Sequence, residues 1–139
     1  MFILDTSVLV AAFTHERDTA KIQTWMALND LDCFISAWNL TEFASALSIK
    51  VRQGHLTTRD RLRVQTSFSV YVNTTAFVLP IERRHMEVAA DLCANPALVI
   101  RAADALHLAV ALEVGAGLAT LDAQLGRATQ ALGLKTADL

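Results

Sequence analysis

The sequence predicts an α/β domain in three layers, a mostly parallel sheet of about five strands covered by helices on both faces. Three observations predict it. Short apolar runs alternate with longer stretches whose apolar residues recur at helical spacing, the alternation that builds parallel sheets. Glycines at 54, 115 and 133 close three of the helical stretches, as glycines just past a helix do. The chain has 139 residues, 53% of them hydrophobic, with a mean hydropathy of +0.36. One domain over 1–139 of this size buries about two-thirds of its unfolded surface, so disulfide staples are not needed.

Taken in order, residues 2–4 (Phe2, Ile3, Leu4) form the first strand and end at Asp5. Residues 7–13 are long enough for a helical turn or two. Between 18 and 28, Ile22, Trp25, Met26 and Leu28 sit at roughly helical spacing. Residues 33–35 read as the second strand, and 39–53 as a helix stopped by Gly54. A further helix covers 58–72, and a third strand covers 76–79, closed by Pro80. Helices follow over 83–93 and 102–114. Residues 118–120 form the fourth strand, 123–132 the last helix, and 134–137 a fifth, edge strand. No repeat, low-complexity tract or linker interrupts this order.

Composition excludes several classes. The most apolar stretch, 102–121, is broken by Asp104, His107 and Glu113, so it reads as a buried helix and strand rather than a membrane span. The apolar opening lacks a positively charged start and carries Asp5 inside it, which argues against secretion and for the cytoplasm. Cys33 and Cys93 lie in apolar surroundings and read as small buried hydrophobes in a reducing compartment. The net charge of −2 is low for a nucleic-acid binder. Against that, Lys50, Arg52, Arg59, Arg61 and Arg63 put five of the 12 Lys and Arg residues into 14 positions. Such a group is either a solvated helix face or a patch that tracks phosphates.

Parallel sheets bind ligands at the carboxyl ends of their strands. Asp5 follows the first strand and Asp122 the fourth, while Glu42 and Asp104 fall in the first turns of helices. Four carboxylates meeting at one edge repel one another. A hard divalent cation, magnesium or manganese rather than zinc, relieves that cost. It also stabilises charge on a phosphodiester under attack. Each acid has a structural reading as well. Asn39 and Glu42 have capping-box spacing, Asp122 fits a helix N-cap, and Asp104 suits a helix start. Asp5, in an apolar opening, has the weakest such reading. Thr6, Ser7 and Thr120 are hydroxyls placed to orient carboxylates. His107, one turn after Asp104, reads as a buried, hydrogen-bonded histidine.

At these residues the chain resembles PIN-domain ribonucleases, and more narrowly the VapC-type toxins of toxin–antitoxin pairs. The resemblance runs through the opening from Phe2 to Val8, Glu42 after the second strand, the segment from Arg101 to Ala109 around Asp104, Leu118 to Asp122, and the tail from Leu125 to Leu134. It implies a PIN-like three-layer fold and magnesium- or manganese-dependent hydrolysis of RNA by metal-activated water. Asp5 and Asp104 would be the direct ligands, with Glu42 and Asp122 completing the pocket. It also implies a homodimer, with its surface around residues 56–72 or the preceding helix. A cognate VapB-type antitoxin would cover the acids.

Three other readings compete. A haloacid dehalogenase-type phosphotransferase needs a second acid two residues after the first, where this chain has Ser7. A receiver-type signalling domain needs an acceptor aspartate after the third strand, where Leu79, Pro80 and Ile81 stand. A degenerate PIN module that only binds RNA or protein would not need four acids.

Overall fold

A computed structural model describes residues 1–139. Along the chain run β1 (Phe2–Leu4), α1 (Thr6–Phe13), α2 (Thr19–Leu28), β2 (Cys33–Ser36), α3 (Ala37–Arg52) and α4 (Thr58–Thr74). They are followed by β3 (Phe77–Leu79), α5 (Arg83–Ala94), α6 (Ala102–Val114), β4 (Gly117–Ala119) and α7 (Ala123–Ala131). The sheet has four parallel strands in the order β3-β2-β1-β4. In β1, Phe2 registers with both Cys33 and Gly117, and Ile3 with Phe34 and Leu118.

Alternation along each strand builds the layers, because successive strand side chains face opposite ways. Leu4, Cys33, Ile35 and Ala119 join one core with Val8 and Leu9 of α1, Ile22 of α2, Phe43 and Leu47 of α3, and Phe68 of α4. Ile3 and Leu118 face the other way, onto Leu108, Val110 and Ala111 of α6 and Leu125 and Ala128 of α7. A third group joins Ala89 of α5 to Ala105, Leu106 and Ala109 of α6. Helix α6 is buried from Ala105 through Ala111, which is why its sequence reads as almost uniformly apolar. In the first core the rings of Phe43 and Phe68 stack at 3.9 Å, and Phe13 meets Phe68 edge-on at 5.6 Å. Such pairs add about 0.5–1.5 kcal/mol each to the area they bury.

Four sequence expectations are corrected. The fifth strand reduces to a single parallel bridge between Leu118 and Thr136. Leu118 N donates to Lys135 O and Ala137 N to Leu118 O, which covers the β4 edge without forming a strand. Strand β4 starts at Gly117 rather than 118; a Cβ there would lie 2.7 Å from Lys135 O and 2.8 Å from the Phe2 ring, so only glycine fits this approach. Helix α3 starts at Ala37, with Ser36 as its N-cap and Asn39 as the third helical residue. The capping box is therefore Ser36–Asn39, not Asn39–Glu42, and Glu42 falls in the second turn. Cys33 is buried as expected, but Cys93 is exposed, because the outer face of α5 has no layer over it. No helix is long and apolar enough to cross a membrane.

Candidate active site

Because β1, β2 and β4 run parallel, their carboxyl ends share one edge. Asp5 leaves β1 there and caps α1. Its Oδ2 accepts from Ser7 Oγ at 2.5 Å, Ser7 N at 3.3 Å and Thr120 Oγ1 at 2.9 Å. Its Oδ1 lies 3.4 Å from Nε2 of His107. Ser7 Oγ accepts from Leu121 N, and Thr120 Oγ1 from Asp122 N, each at 3.0 Å. Two hydroxyls thus tie the ends of β1 and β4 together around one carboxylate.

Glu42 reaches the edge from α3. Its Oε2 accepts from Thr6 Oγ1 and from His107 Nε2, both at 2.6 Å. Asn39, fully buried, braces this corner. Its Nδ2 donates to Leu4 O at 3.0 Å and Thr6 Oγ1 at 3.1 Å, and its Oδ1 accepts from Ser36 N at 2.8 Å. Asp122 caps α7, its Oδ1 accepting from Gln124 N at 2.7 Å and Leu125 N at 3.1 Å. Asp104 Oδ2 accepts from Arg101 N at 3.0 Å.

A common pattern emerges. In each of the four acids one carboxylate oxygen is engaged by the fold. The other oxygen, Oδ1 of Asp5, Oε1 of Glu42, Oδ1 of Asp104 and Oδ2 of Asp122, accepts no hydrogen bond from the protein.

The electrostatics record the crowding. Burial pushes the Asp104 carboxyl up, and the charges of Asp5 and Asp122 push it further, against the hydrogen bond from the Arg101 N–H. Glu42 responds in the opposite direction. Burial raises it, but the hydrogen bonds from His107 and the Thr6 hydroxyl outweigh that and hold it below the usual carboxylate range. The buried indole nitrogen of Trp38 adds a smaller pull without completing a hydrogen bond.

Donor atoms of Asp5, Glu42 and His107 lie within 4.8 Å of one another. Asp104 and Asp122 line an adjoining cavity of about 120 Å³ with Val99, Arg101 and Gln124. The tight group therefore pairs Asp5 with Glu42 and His107, while Asp104 faces Asp122. The Thr6 hydroxyl donates to Glu42, and the hydroxyls of Ser7 and Thr120 donate to Asp5. His107 is buried and hydrogen-bonded, as its sequence surroundings imply; its place between two acids has one signal in the sequence, a polar ring three residues after Asp104 in an apolar run. Local spacing marks Asn39 only as a cap, because the partners it braces, Leu4 and Thr6, lie 35 and 33 residues away.

The basic group lies elsewhere. Lys50 pairs with Glu16 at 2.7 Å, on the last turn of α3. Eight residues separate it from Glu42, about 12 Å along a helix axis. With Arg63, His15, Phe13 and Asp60 it lines a separate cavity of about 570 Å³.

Comparison with solved structures gives the same architecture. FitAcB from Neisseria gonorrhoeae superposes with a TM-score of 0.74 at 19% identity, over 99% of this chain and 97% of that one. VapC20 from Mycobacterium tuberculosis, described as a sarcin-ricin loop cleaving toxin, gives 0.74 at 17% identity, over 97% of each chain. VapBC2 from Rickettsia felis, bound to a fragment of its promoter DNA, gives 0.72 at 16% identity, over 98% and 96%. No curated protein sequence matches the chain. The PIN domain family matches residues 2–130, the span that carries the sheet and all four acids, and the chain belongs to that family.

Proposed function

We propose that this protein is a divalent-metal-dependent endoribonuclease and the toxin of a toxin–antitoxin pair. One observation carries the reading: four carboxylates at one sheet edge, each with one oxygen held by the fold and one that accepts no hydrogen bond from the protein. Oxygen donors of that kind fit a hard cation. The raised Asp104 carboxyl is the cost that such a cation would remove. In this reading Asp5 and Asp104 hold magnesium or manganese directly, and Glu42 and Asp122 complete the pocket. Bound there, the ion supplies charge stabilisation to a phosphodiester under attack and makes water more acidic.

The chain's own groups supply the geometry. Ser7 and Thr120 hold Asp5 by Oδ2, so its other oxygen keeps one orientation. Thr6 does the same for Glu42. Asp122 is fixed by the N–H groups that open α7, and Asp104 by the one that opens α6. No serine, cysteine or histidine is asked to act as a nucleophile.

Single-stranded or structured RNA in the cytoplasm is the substrate in this reading, supported by the loop-cleaving activity in the description of one neighbour. A VapB-type antitoxin is the partner, supported by neighbours solved as toxin–antitoxin complexes. A homodimer over the single domain 1–139 completes the proposal. Helix α4, which exposes Leu62 and Val70, offers apolar surface for it. The intact acid set speaks against a degenerate module that only binds.

The test is cleavage of end-labelled RNA by the purified protein with Mg²⁺ or Mn²⁺. Activity is expected to vanish with EDTA and in Asp5→Asn and Asp104→Asn. Growth arrest on induction is expected to vanish in the same variants. Cleavage by Asp5→Asn at the wild-type rate would refute the assignment.

A further inference from the structure

We propose that His107 is a positioning residue for the metal centre, one that aims Glu42 without itself ligating the ion. The inference rests on the reading above and goes one residue further. His107 is fully buried on α6, one turn after Asp104. Its Nε2 lies 2.6 Å from Glu42 Oε2 and 3.4 Å from Asp5 Oδ1. Those three donor atoms form the tightest group in the site, and by residue type alone the ring is a candidate third ligand.

The far side of the ring decides between ligand and brace. His107 Nδ1 is buried and has no hydrogen-bond partner. A ligating imidazole presents a bare nitrogen to the metal and carries its proton on the other nitrogen. That N–H almost always donates to a carboxylate, a carbonyl or water. With Nε2 on a metal, the proton would sit on Nδ1, a buried donor with nothing to accept it, which is unfavourable. With the proton on Nε2, the ring donates to Glu42 at 2.6 Å and leaves only a bare lone pair unpaired. The hydrogen-bond network therefore assigns the Nε2–H tautomer.

Glu42 Oε2 then has two donors, Thr6 Oγ1 and His107 Nε2, on opposite sequence sides of the fold. That oxygen is saturated, and Glu42 faces the site with Oε1 alone. His107 thus sets which oxygen of Glu42 is offered, and it keeps Glu42 and Asp5 at a fixed separation by standing near both. Groups that orient metal ligands from outside typically change affinity by about 10- to 100-fold when removed.

The experiment measures Mn²⁺ binding to the intact protein by calorimetry and by its paramagnetic resonance signal. It compares wild type with His107→Leu, which fills the volume without a donor, and His107→Gln, whose side-chain amide can replace the Nε2–H. His107→Leu is expected to bind Mn²⁺ about 10- to 100-fold more weakly, and His107→Gln within a few-fold of wild type. A His107→Leu protein that binds as wild type does would overturn the proposal. So would a His107→Gln protein that is as weak as His107→Leu, because the ring nitrogen itself would then be required. A measurement on the wild type alone does not depend on the variants folding. The ¹⁵N shifts of the His107 ring are expected to show Nε2–H both before and after Mg²⁺ is added. A proton that moves to Nδ1 on loading identifies a ligand and refutes the positioning role. If wild type binds no divalent ion, the nuclease reading fails and this inference falls with it. If wild type binds and only the His107 results disagree, the nuclease reading stands.

Discussion

Replacing Asn39 with alanine removes a fully buried amide that holds three elements together. The side chain donates to the carbonyl that ends β1 and to Thr6, and accepts from the N–H and hydroxyl of Ser36 at the start of α3. The two hydroxyls can rotate toward other partners. The backbone groups, Leu4 C=O and Ser36 N–H, cannot. The buried Leu4 carbonyl stripped of its partner costs about 1–3 kcal/mol, and loss of the reciprocal cap on the Ser36 N–H adds about 1 kcal/mol. The expected destabilisation is about 2–4 kcal/mol, a large share of the roughly 5–15 kcal/mol typical of a domain. In melting temperature this is a fall of about 6–16 °C for a chain of this length. Thermal and urea unfolding of the metal-free protein measure it directly. Asn39→Asp is expected to be no better at neutral pH, because it sets a carboxylate oxygen against the Leu4 carbonyl. A loss below about 1 kcal/mol in Asn39→Ala, or a stable Asn39→Asp, would show that the brace does not carry this corner.

Gly117→Ala is expected to cost about 1–3 kcal/mol, since the new methyl meets the Lys135 carbonyl and the Phe2 ring; Gly126→Ala, with nothing nearer than 3.9 Å, is expected to gain up to about 1 kcal/mol in urea unfolding. Asp104→Asn is expected to raise the melting temperature of the metal-free protein at neutral pH while abolishing Mn²⁺-dependent cleavage. The sign follows from the raised carboxyl: its charged form is disfavoured by burial and by Asp5 and Asp122, so neutralising it relieves the fold. Unchanged melting would refute that account. Native protein is expected to present one thiol to a disulfide reagent at pH 8, the exposed Cys93, and two after denaturation. Burial pushes the Cys33 thiol up to about 11. Its neutral form therefore adds stability below about pH 9, and that contribution is lost as pH climbs through 11; Cys33→Ala should flatten this part of the pH–stability curve.

Much of this was readable in the chain. Strand-length apolar runs, helix-stopping glycines and acids at run ends placed every helix and the four strands. Hydrophobic periodicity survives in sequence because each strand faces two cores, as Ile3 and Leu4 show by pointing opposite ways. What sequence could not resolve was competition between local and distant partners. Asn39 has the spacing to cap with Glu42, but Ser36 lies three residues before it and takes the box instead. Only the pairing of β1 with β2, which brings Leu4 and Thr6 to Asn39, settles that contest. The edge near residue 136 looked like a strand because its residues permit one, yet the chain keeps only one bridge before turning away. His107 looked like a core histidine, and by burial it is one. Its second identity depends on Glu42, 65 residues away in sequence.

The position of β1 between β2 and β4 has a consequence for synthesis. The first strand to leave the ribosome acquires its last neighbour only when residues 117–119 emerge, and Thr120 and Asp122 follow them. Domains tend to fold as units while translation proceeds. Here the unit cannot close early, because the Asp5 carboxylate that follows β1 is held by the Thr120 hydroxyl that follows β4. A copy translated only as far as β3 or α6 is therefore without the finished edge where the acids gather, and the site forms only once Thr120 and Asp122 have joined it.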